Sequence, residues 1–523
     1  MLILLSDGAG LTARQCATVL ARAGHRVEAL SPAGLCLCRM TRHVRRVHDV
    51  PPLGRDPSGW LEAALDVASR RGADVLLPVQ EQVAVMAMAR DRIEAAGLAT
   101  AVPGFAALAQ VQDKVSAFRT LARVGVPQPP AVVAATAAEV ETAGTELARA
   151  GQAGWPLFVK MPIGTASAGV RRAGSPDELR QVAADYERLG AFGPDGVLVQ
   201  RSVAGPLAMV QAVFARGELT AFHACQRVRE GASGGASHKL GMDLPEAREH
   251  MARLGAALGW HGALSADVII GPDGPRFIDI NPRLVEPANA LASGVDLTGA
   301  LLEVARAPAR SGSVPPQPIA VPGVRTHQLL LAVLGAAHQG GRRAVSRELV
   351  HAVLHRGEYR GSREELTPGR GDPLAPLPVT VIALATLIRP DAWRRFVGGS
   401  AGAYSLTPAA WRELTRAWAR TGAEAREACG AAEAGSPGPL GRKNGGGPSR
   451  SPHRRRHVGL CGASDTPGVP EAPSGPVGAR GQPPLTCWTP EIVPWAVCSA
   501  ELTDDVPVIE AWIAVQMACD TFG

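Results

Sequence analysis

The stretch ALSADVIIGPDGPRFIDINPR, residues 263–283, decides how the chain is read. Val268 to Ile270 and Phe277 to Ile280 have the apolar character of two short strands, and Gly271-Pro-Asp-Gly-Pro275 between them is a five-residue turn signal. With that loop, residue 270 faces 276, Asp267 faces Asp279 and Ser265 faces Asn281, each pair with Cβ atoms roughly 5 Å apart. Two carboxylates opposite one another destabilise a sheet unless a cation lies between them, so this register asks for a divalent metal. The two-residue period adds Asn281 and Arg283 to the face of Asp279 and sends Ala266, Val268, Ile278 and Ile280 towards a core. Taken alone, the stretch leaves a second reading open: a half-exposed hairpin with a solvated polar face, because a one-residue slip moves every side chain of a strand to the other side.

Composition bounds the answer. A chain of 523 residues is too long for one compact domain. Its 46% hydrophobic content suffices for a buried core, and a net charge of +6 is too modest to indicate a polyanion partner. Nine cysteines, with no CxxC pair and no zinc-like spacing, fit a reduced, cytoplasmic protein. The opening MLILLSDGAG reads as a first strand and not as a signal peptide, and no stretch reaches the roughly 20 apolar residues of a membrane span.

In chain order, Leu2 to Leu5, Thr12 to Ala23 and Arg26 to Leu30 form a βαβ opening. A helix from Trp60 to Arg71, a strand from Asp74 to Pro78, a helix from Glu81 to Ala96 and a strand near Ala99 to Val102 extend it into a small α/β domain, residues 1–105. Gly8, Gly10 and Ala13 with Glu28 superficially fit a dinucleotide fingerprint. However, Asp7 would turn a negative charge on the pyrophosphate, and Glu28 falls inside the second strand. A connecting glycine turn is the better reading.

Gln112-Asp-Lys114 then starts an amphipathic helix (Val115, Phe118, Leu121, Ala122) that ends at Gly125. A strand through Phe158 delivers Lys160 to a small-residue loop from Gly164 through Ser167 to Gly169. Such loops let backbone N–H groups approach phosphate oxygens while a lysine supplies a point charge. Gly196 to Val203 is another apolar strand, turned by Gly205-Pro206 into Ala208 to Phe214. Arg229 to Ser237 reads as a mobile glycine-rich loop with Arg227, His238 and Lys239 around it, and residues 244–259 as a helix.

In this order the features resemble the ATP-grasp superfamily of carboxylate-amine ligase and carbamoyl-phosphate-synthase-like proteins, over residues 111–305. The preceding α/β domain is similar to the Rossmann-like domain that usually comes before it. The resemblance rests on Asp113-Lys114, on Phe158-Val-Lys160 with its glycine loop, on Val199-Gln-Arg-Ser-Val203 with Gly205, and on Asp267 followed by Asp279-Ile-Asn281-Pro-Arg283. It implies an α/β and α+β multidomain fold and an ADP-forming ligase that activates a carboxylate as an acyl phosphate for attack by an amine. Lys114, Lys160 and the loop Gly164, Ser167, Gly169 would contact ATP phosphates, and Gln200, Arg201, Ser202 and Val203 would line the adenine. Asp267, Asp279 and Asn281 would hold Mg2+ or Mn2+, and Arg283, with Lys160, would face the developing charge. Leu207 and Ala208 stand where the family often has an acid for the ribose. A bicarbonate-activating carboxylase and a non-catalytic ATP-binding protein are the rival readings.

Residues 321–422 show helical runs at His327 to Ala336, Arg347 to Leu354 and Pro408 to Arg420, and a buried run at Val379 to Leu387. They read as an accessory region that covers the site or builds a homodimer interface. From 431 to 523 Gly, Pro, Ser and Arg dominate, as in disordered tails, and the basic run Arg454 to Arg456 reads as solvated and not as a nucleic-acid site.

Overall fold

The computed structural model describes residues 1–34, 36–150, 154–164, 169–307, 314–369 and 371–420. The tail expected from 431 onward, its basic run and Ser167 of the glycine loop lie outside the described residues.

The N-terminal part is built from β1 (Leu2–Leu5), α1 (Leu11–Arg22), β2 (Arg26–Ser31), β3 (Arg46–Asp49), α2 (Pro57–Arg71) and β4 (Val75–Leu77). α3 (Val83–Met88), α4 (Arg90–Ala95), α5 (Phe105–Ala109) and α6 (Lys114–Val124) follow. Its parallel sheet has the order β3-β2-β1-β4. The single helix expected over 81–96 is two, because the backbone leaves helical geometry at Ala89. The strand expected at 99–102 reduces to one bridge between Val75 and Ala99. The turn after β1 is not a phosphate cradle. The Asp7 carboxylate accepts from the amides of Ala9 at 3.1 Å and Gly10 at 2.6 Å, using up the donors a pyrophosphate would need. α6 starts and stops where its sequence dictates, with Asp113 accepting from the Ser116 amide at 2.7 Å and Gly125 closing the helix at φ +73°.

A second layer comprises β5 (Ala131–Ala134), α7 (Ala137–Arg149), β6 (Leu157–Lys160), β7 (Val170–Ala173), α8 (Pro176–Arg188) and β8 (Val197–Arg201). Its antiparallel sheet runs β5-β8-β6-β7. Leu157 and Val159 of β6 enter a core with Val140, Leu179 and Tyr186. Alternation therefore turns Phe158 and Lys160 to the other face of the sheet.

The third layer follows with β9 (Leu207–Ala215), β10 (Glu218–Glu230), β11 (Ala236–Met242), α9 (Pro245–Leu258), β12 (Gly262–Gly271), β13 (Gly274–Asn281), α10 (Ala288–Ala292) and α11 (Leu297–Arg306). β14 (Arg325–His327), α12 (Leu329–Val353), β15 (Arg363–Glu364), α13 (Leu377–Ile388), α14 (Trp393–Tyr404) and a helical run over 408–420 complete the described chain. The large sheet has the order β13-β12-β9-β10-β11-β14-β15. The region beyond 321 thus adds two short strands to the same sheet. α12 bends at Gly341, which takes φ +61°, and the run at 379–387 is helical from Leu377 onward. The glycine-rich stretch after Arg229 is a tight strand connection. β10 continues to Glu230, the Gly231 amide donates to the Gly235 carbonyl at 2.7 Å, and a Cβ on Gly231 would lie 2.9 Å from the Leu331 carbonyl oxygen. Among the described residues, no helix is long and apolar enough to cross a membrane.

Candidate nucleotide and metal site

The β12–β13 hairpin gathers the site, with a change at its tip. Gly271 pairs with Gly274 and Ile270 with Pro275, so the connection is the two-residue Pro272-Asp273 and not a five-residue turn. A shift between Asp267 and Val268 makes Ile278 the extra residue of a bulge and restores the expected pairs Asp267 with Asp279 and Ser265 with Asn281. Phe277, fully buried, takes the core position expected of Ile278. Burying either side chain contributes roughly 1.5–3 kcal/mol, and the larger ring takes the larger apolar area out of water, which favours this register. The bulge has a chemical consequence: Lys160 Nζ donates to the Ile278 carbonyl at 2.6 Å, tying the second layer to the hairpin.

Around this point the charges are close and incompletely matched. Lys114 Nζ lies 3.4 Å from Asp279 Oδ1 and donates to the Gly164 carbonyl at 3.4 Å. Burial pulls the Lys160 ammonium down to about 8; Asp279 opposes the fall and Lys114 adds to it. Burial, then the Asp279 charge, pushes the half-buried Asp267 carboxyl up to about 6, against the opposing charges of Arg227, Arg283 and Lys160. A cleft here is lined by Glu81, Gln112, Lys114, Ile163, Gly164, Ile280, Asn281, Pro282 and Leu406. The Arg283 guanidinium donates from Nε to Glu81 Oε1 at 2.9 Å, while Ser265 Oγ donates to the Arg283 carbonyl at 2.6 Å.

Of the residues expected at the site, Lys114, Gly164 and Asn281 line the cleft. Asp279, Asp267 and Lys160 lie beside it through the Lys114–Asp279 pair, the Asp267–Asp279 register and the Lys160 bond to Ile278, without lining it; nor does Arg283 line it. Gly169 closes the loop at φ +81°, its carbonyl accepting from the Met161 amide at 2.8 Å and from the Tyr186 hydroxyl at 2.8 Å. Gln200 is buried on β8 opposite Phe158, and Arg201 pairs with Leu157. Neither these two nor Ser202 and Val203 line the cleft described above. Gly205 is required where it stands: at φ +145°, a Cβ would lie 2.1 Å from the Ile270 carbonyl oxygen.

Two of the charges around the glycine-rich stretch, Lys239 and His238, are engaged in the interior. Lys239 is fully buried and bonded at 2.6 Å to both Glu286 and Glu365. His238 is buried against His327, ring centroids 5.7 Å apart, and Tyr359, 4.8 Å. Burial, Arg229 and His327 hold its imidazole neutral, down to about 3. Glu81, Gln112 and Leu406 were not anticipated. Glu81 had a signal, since Gln80-Glu-Gln82 follows the carboxyl end of the parallel strand β4, where ligand sites of α/β sheets gather; Leu406 had none.

A divalent cation fits the residues present. Asp267, Asp279 and Asn281 are hard oxygen donors of the kind Mg2+ takes in small number when substrate phosphates complete its shell, and the raised Asp267 carboxyl reports an anionic pair short of positive charge. Among the described residues there is no cluster of three His, Cys, Asp or Glu side chains, so the amide of Asn281 is needed for a third protein donor.

Residues 113–230 match the family model of the carbamoyl-phosphate synthase L chain, ATP-binding domain. The chain therefore carries an ATP-grasp ATP-binding domain, the class its sequence motifs resemble. It is 28% identical over 262 residues to a biotin carboxylase of Pseudomonas aeruginosa, covering 47% of this chain and 57% of that protein. A biotin carboxylase of Haemophilus influenzae is 24% identical over 286 residues, covering 51% and 62%. The chain thus spans about half the length of the curated relatives it matches, 45% to 62%. Among solved structures it is similar to a biotin carboxylase complex with β-γ-ATP from Campylobacter jejuni, at 18% identity and a TM-score of 0.49, covering 62% of this chain and 74% of that one.

Proposed function

We propose that the protein is an ATP-dependent, ADP-forming ligase that activates a carboxylate as an acyl phosphate for attack by an amine. The observation that carries this reading is the convergence of Lys114 and Lys160 on the facing pair Asp267 and Asp279. Lys114 and Lys160 hold the β- and γ-phosphates of ATP, with Gly164 beside them. Asp267, Asp279 and Asn281 would hold Mg2+, which when bound neutralises phosphate charge. A carboxylate oxygen of the acceptor attacks the γ-phosphorus, the bond to the β,γ-bridging oxygen breaks and ADP leaves. The amine nitrogen then attacks the acyl carbon, phosphate departs and the nitrogen loses a proton. Arg283, oriented by Glu81, supplies positive charge beside the transferring group. The work is positioning and charge neutralisation. Among the described residues the free thiols Cys16, Cys36, Cys38 and Cys225 are buried, which suits a cytoplasmic setting.

The likeness to curated biotin carboxylases favours a second reading, in which the activated carboxylate is bicarbonate and the product of the first step carboxyphosphate. ADP release screened over organic acids, bicarbonate and amines, with and without Mg2+, tests both. Release that needs an organic acid supports the ligase, and release that needs only bicarbonate supports the carboxylase. ATP binding without turnover against every pair would refute both.

A further inference from the structure

α13, LPVTVIALATLI, has no charged side chain, and a helix of that kind is ordinarily buried all round. Here only one side is covered: Val379, Ile382 and Ala383 enter a core shared with Val345 of α12 and with Leu366. Leu377, Val381, Leu384 and Ile388 recur at intervals of four, three and four residues, which puts them on one stripe on the far side of the helix from that core. Leu384 is 56% and Ile388 66% exposed. The second half of α12, beyond the bend at Gly341, repeats the pattern. Arg343, Arg347, Val350 and the cap residue Leu354 fall at the same spacing, opposite the buried Val345, with Val350 50% and Leu354 51% exposed. Arg342 ties the two helices together, donating from Nε to the Leu387 carbonyl at 2.7 Å and from Nη2 to the Ile388 carbonyl at 2.5 Å. Both stripes point away from the same core, so they share one outer face.

The charge around this face has one sign. Among the described residues from 342 to 397, the exposed Lys, Arg, Asp and Glu side chains are nine arginines and a single acid, Asp391. Glu348 and Glu358 are already paired with Arg229. A second copy laid on this face by a two-fold axis would set arginines against arginines with no acids to match them. A bilayer with anionic headgroups meets both features at once: its phosphates take the guanidinium groups, and the apolar stripes reach the boundary between headgroups and acyl chains. We propose that the outer face of α12 and α13 docks the protein on an anionic membrane surface. Leu384, Ile388, Val350 and Leu354 enter the boundary layer, and Arg343 and Arg347 pair with lipid phosphates. A free phosphate would satisfy the arginines alone and leave the stripes in water, whereas a lipid answers for both. None of these residues lines the cleft, so the inference stands apart from the ligase reading.

Flotation of the full chain with vesicles of phosphatidylcholine, with and without phosphatidylglycerol, tests it. The protein should float with the anionic vesicles and several-fold less with the neutral ones, and the difference should shrink in high salt. Leu384→Ser with Ile388→Ser should lower the partition coefficient by about tenfold, and Arg343→Gln with Arg347→Gln by a similar factor. All four side chains are exposed, so the unfolding midpoint should hold in both pairs. Failure to float with the anionic vesicles would overturn the inference. So would floating unaltered in both pairs of variants, which would move the contact elsewhere in the chain. Binding lost in the arginine pair but intact in the apolar pair would mean a purely polyanionic partner and overturn the membrane assignment. A concentration-dependent dimer in sedimentation, broken by Leu384→Ser with Ile388→Ser in a protein that ignores vesicles, would give the face to a second copy instead.

Discussion

Two lysines of this fold are equally buried and electrostatically opposite. Lys239 on β11 is bonded to Glu286 and Glu365 at 2.6 Å each, and Gln328 donates to Glu365 Oε2 at 3.0 Å. Burial alone would lower its ammonium, but the two carboxylates overturn that and hold it above its usual value. Lys160 on β6 donates to a neutral carbonyl, that of Ile278, and burial leaves its ammonium depressed to about 8. The first is a finished ion cluster tying β11 to the loop after β13 and to the segment at β15. The second is an unfinished one, whose missing anion is what a nucleotide phosphate would bring. Burial and charge alone therefore do not mark a binding site; incompletely matched charge does.

The largest effect should come from breaking the finished cluster. Lys239→Met leaves two carboxylates buried without their cation and should cost about 3–5 kcal/mol of stability, read as a lowered denaturant midpoint. A loss below about 1 kcal/mol would mean that the cluster is open to water or rearranges, and the contrast between the lysines would fail.

Next comes the unfinished site. Asp279→Ala removes one carboxylate from a crowded pair, so the fold should survive while metal-dependent ADP formation falls by about 10²–10³-fold, as for loss of a group that stabilises developing charge. The relevant measurement is kcat for ADP release over a Mg2+ titration, beside an unfolding curve. Turnover close to wild type would remove Asp279 from the metal site; a large loss of stability would make it structural instead.

How much of this was legible in the chain follows from the range of the forces involved. Hairpin pairing of Asp267 with Asp279 could be read because alternation and a turn signal are local, and α6 because its cap, apolar stripe and terminal glycine are contiguous. The tip was misread by one residue, since Gly274 permits a tighter turn and the core chose Phe277 over Ile278; that competition is settled by packing. The ion cluster of Lys239 had no local sign, because its partners, Glu286 and Glu365, are 47 and 126 residues away. Strands as short as β14 and β15 carry no period to detect, so their membership of the large sheet was hidden. Leu406 reaches the cleft only through tertiary contacts, with no motif to announce it.

A smaller effect separates the two lysines by pH, in nucleotide- and metal-free buffer. The folded Lys160 value of about 8 lies below the roughly 10.4 of an unfolded chain, so between these values the unfolded state binds more protons. Stability from this group is thus full above about 10.4 and lost as pH falls through about 8. Lys239 has the opposite sign: its contribution is full below the unfolded value and is lost only as pH rises through a folded value that lies higher still. Between pH 8 and 10 the Lys160 term should raise stability by at most about 1.4 kcal/mol per pH unit. Lys160→Met should flatten that slope and Lys239→Met should preserve it. A slope unchanged by Lys160→Met would show that this ammonium is not depressed.

The smallest signal tests the missing anion directly. If a nucleotide phosphate completes the charge at Lys160, binding must restore its proton, so ATP with Mg2+ should draw up to about one proton from solution near pH 8.5. Calorimetry in two buffers of different ionisation enthalpy reads that number, and Lys160→Met should bring it towards zero. Binding without proton uptake would mean that the phosphates sit away from Lys160. Lys160 would then be no more in need of an anion than the Lys239 cluster, and the contrast between the two lysines would no longer mark a binding site.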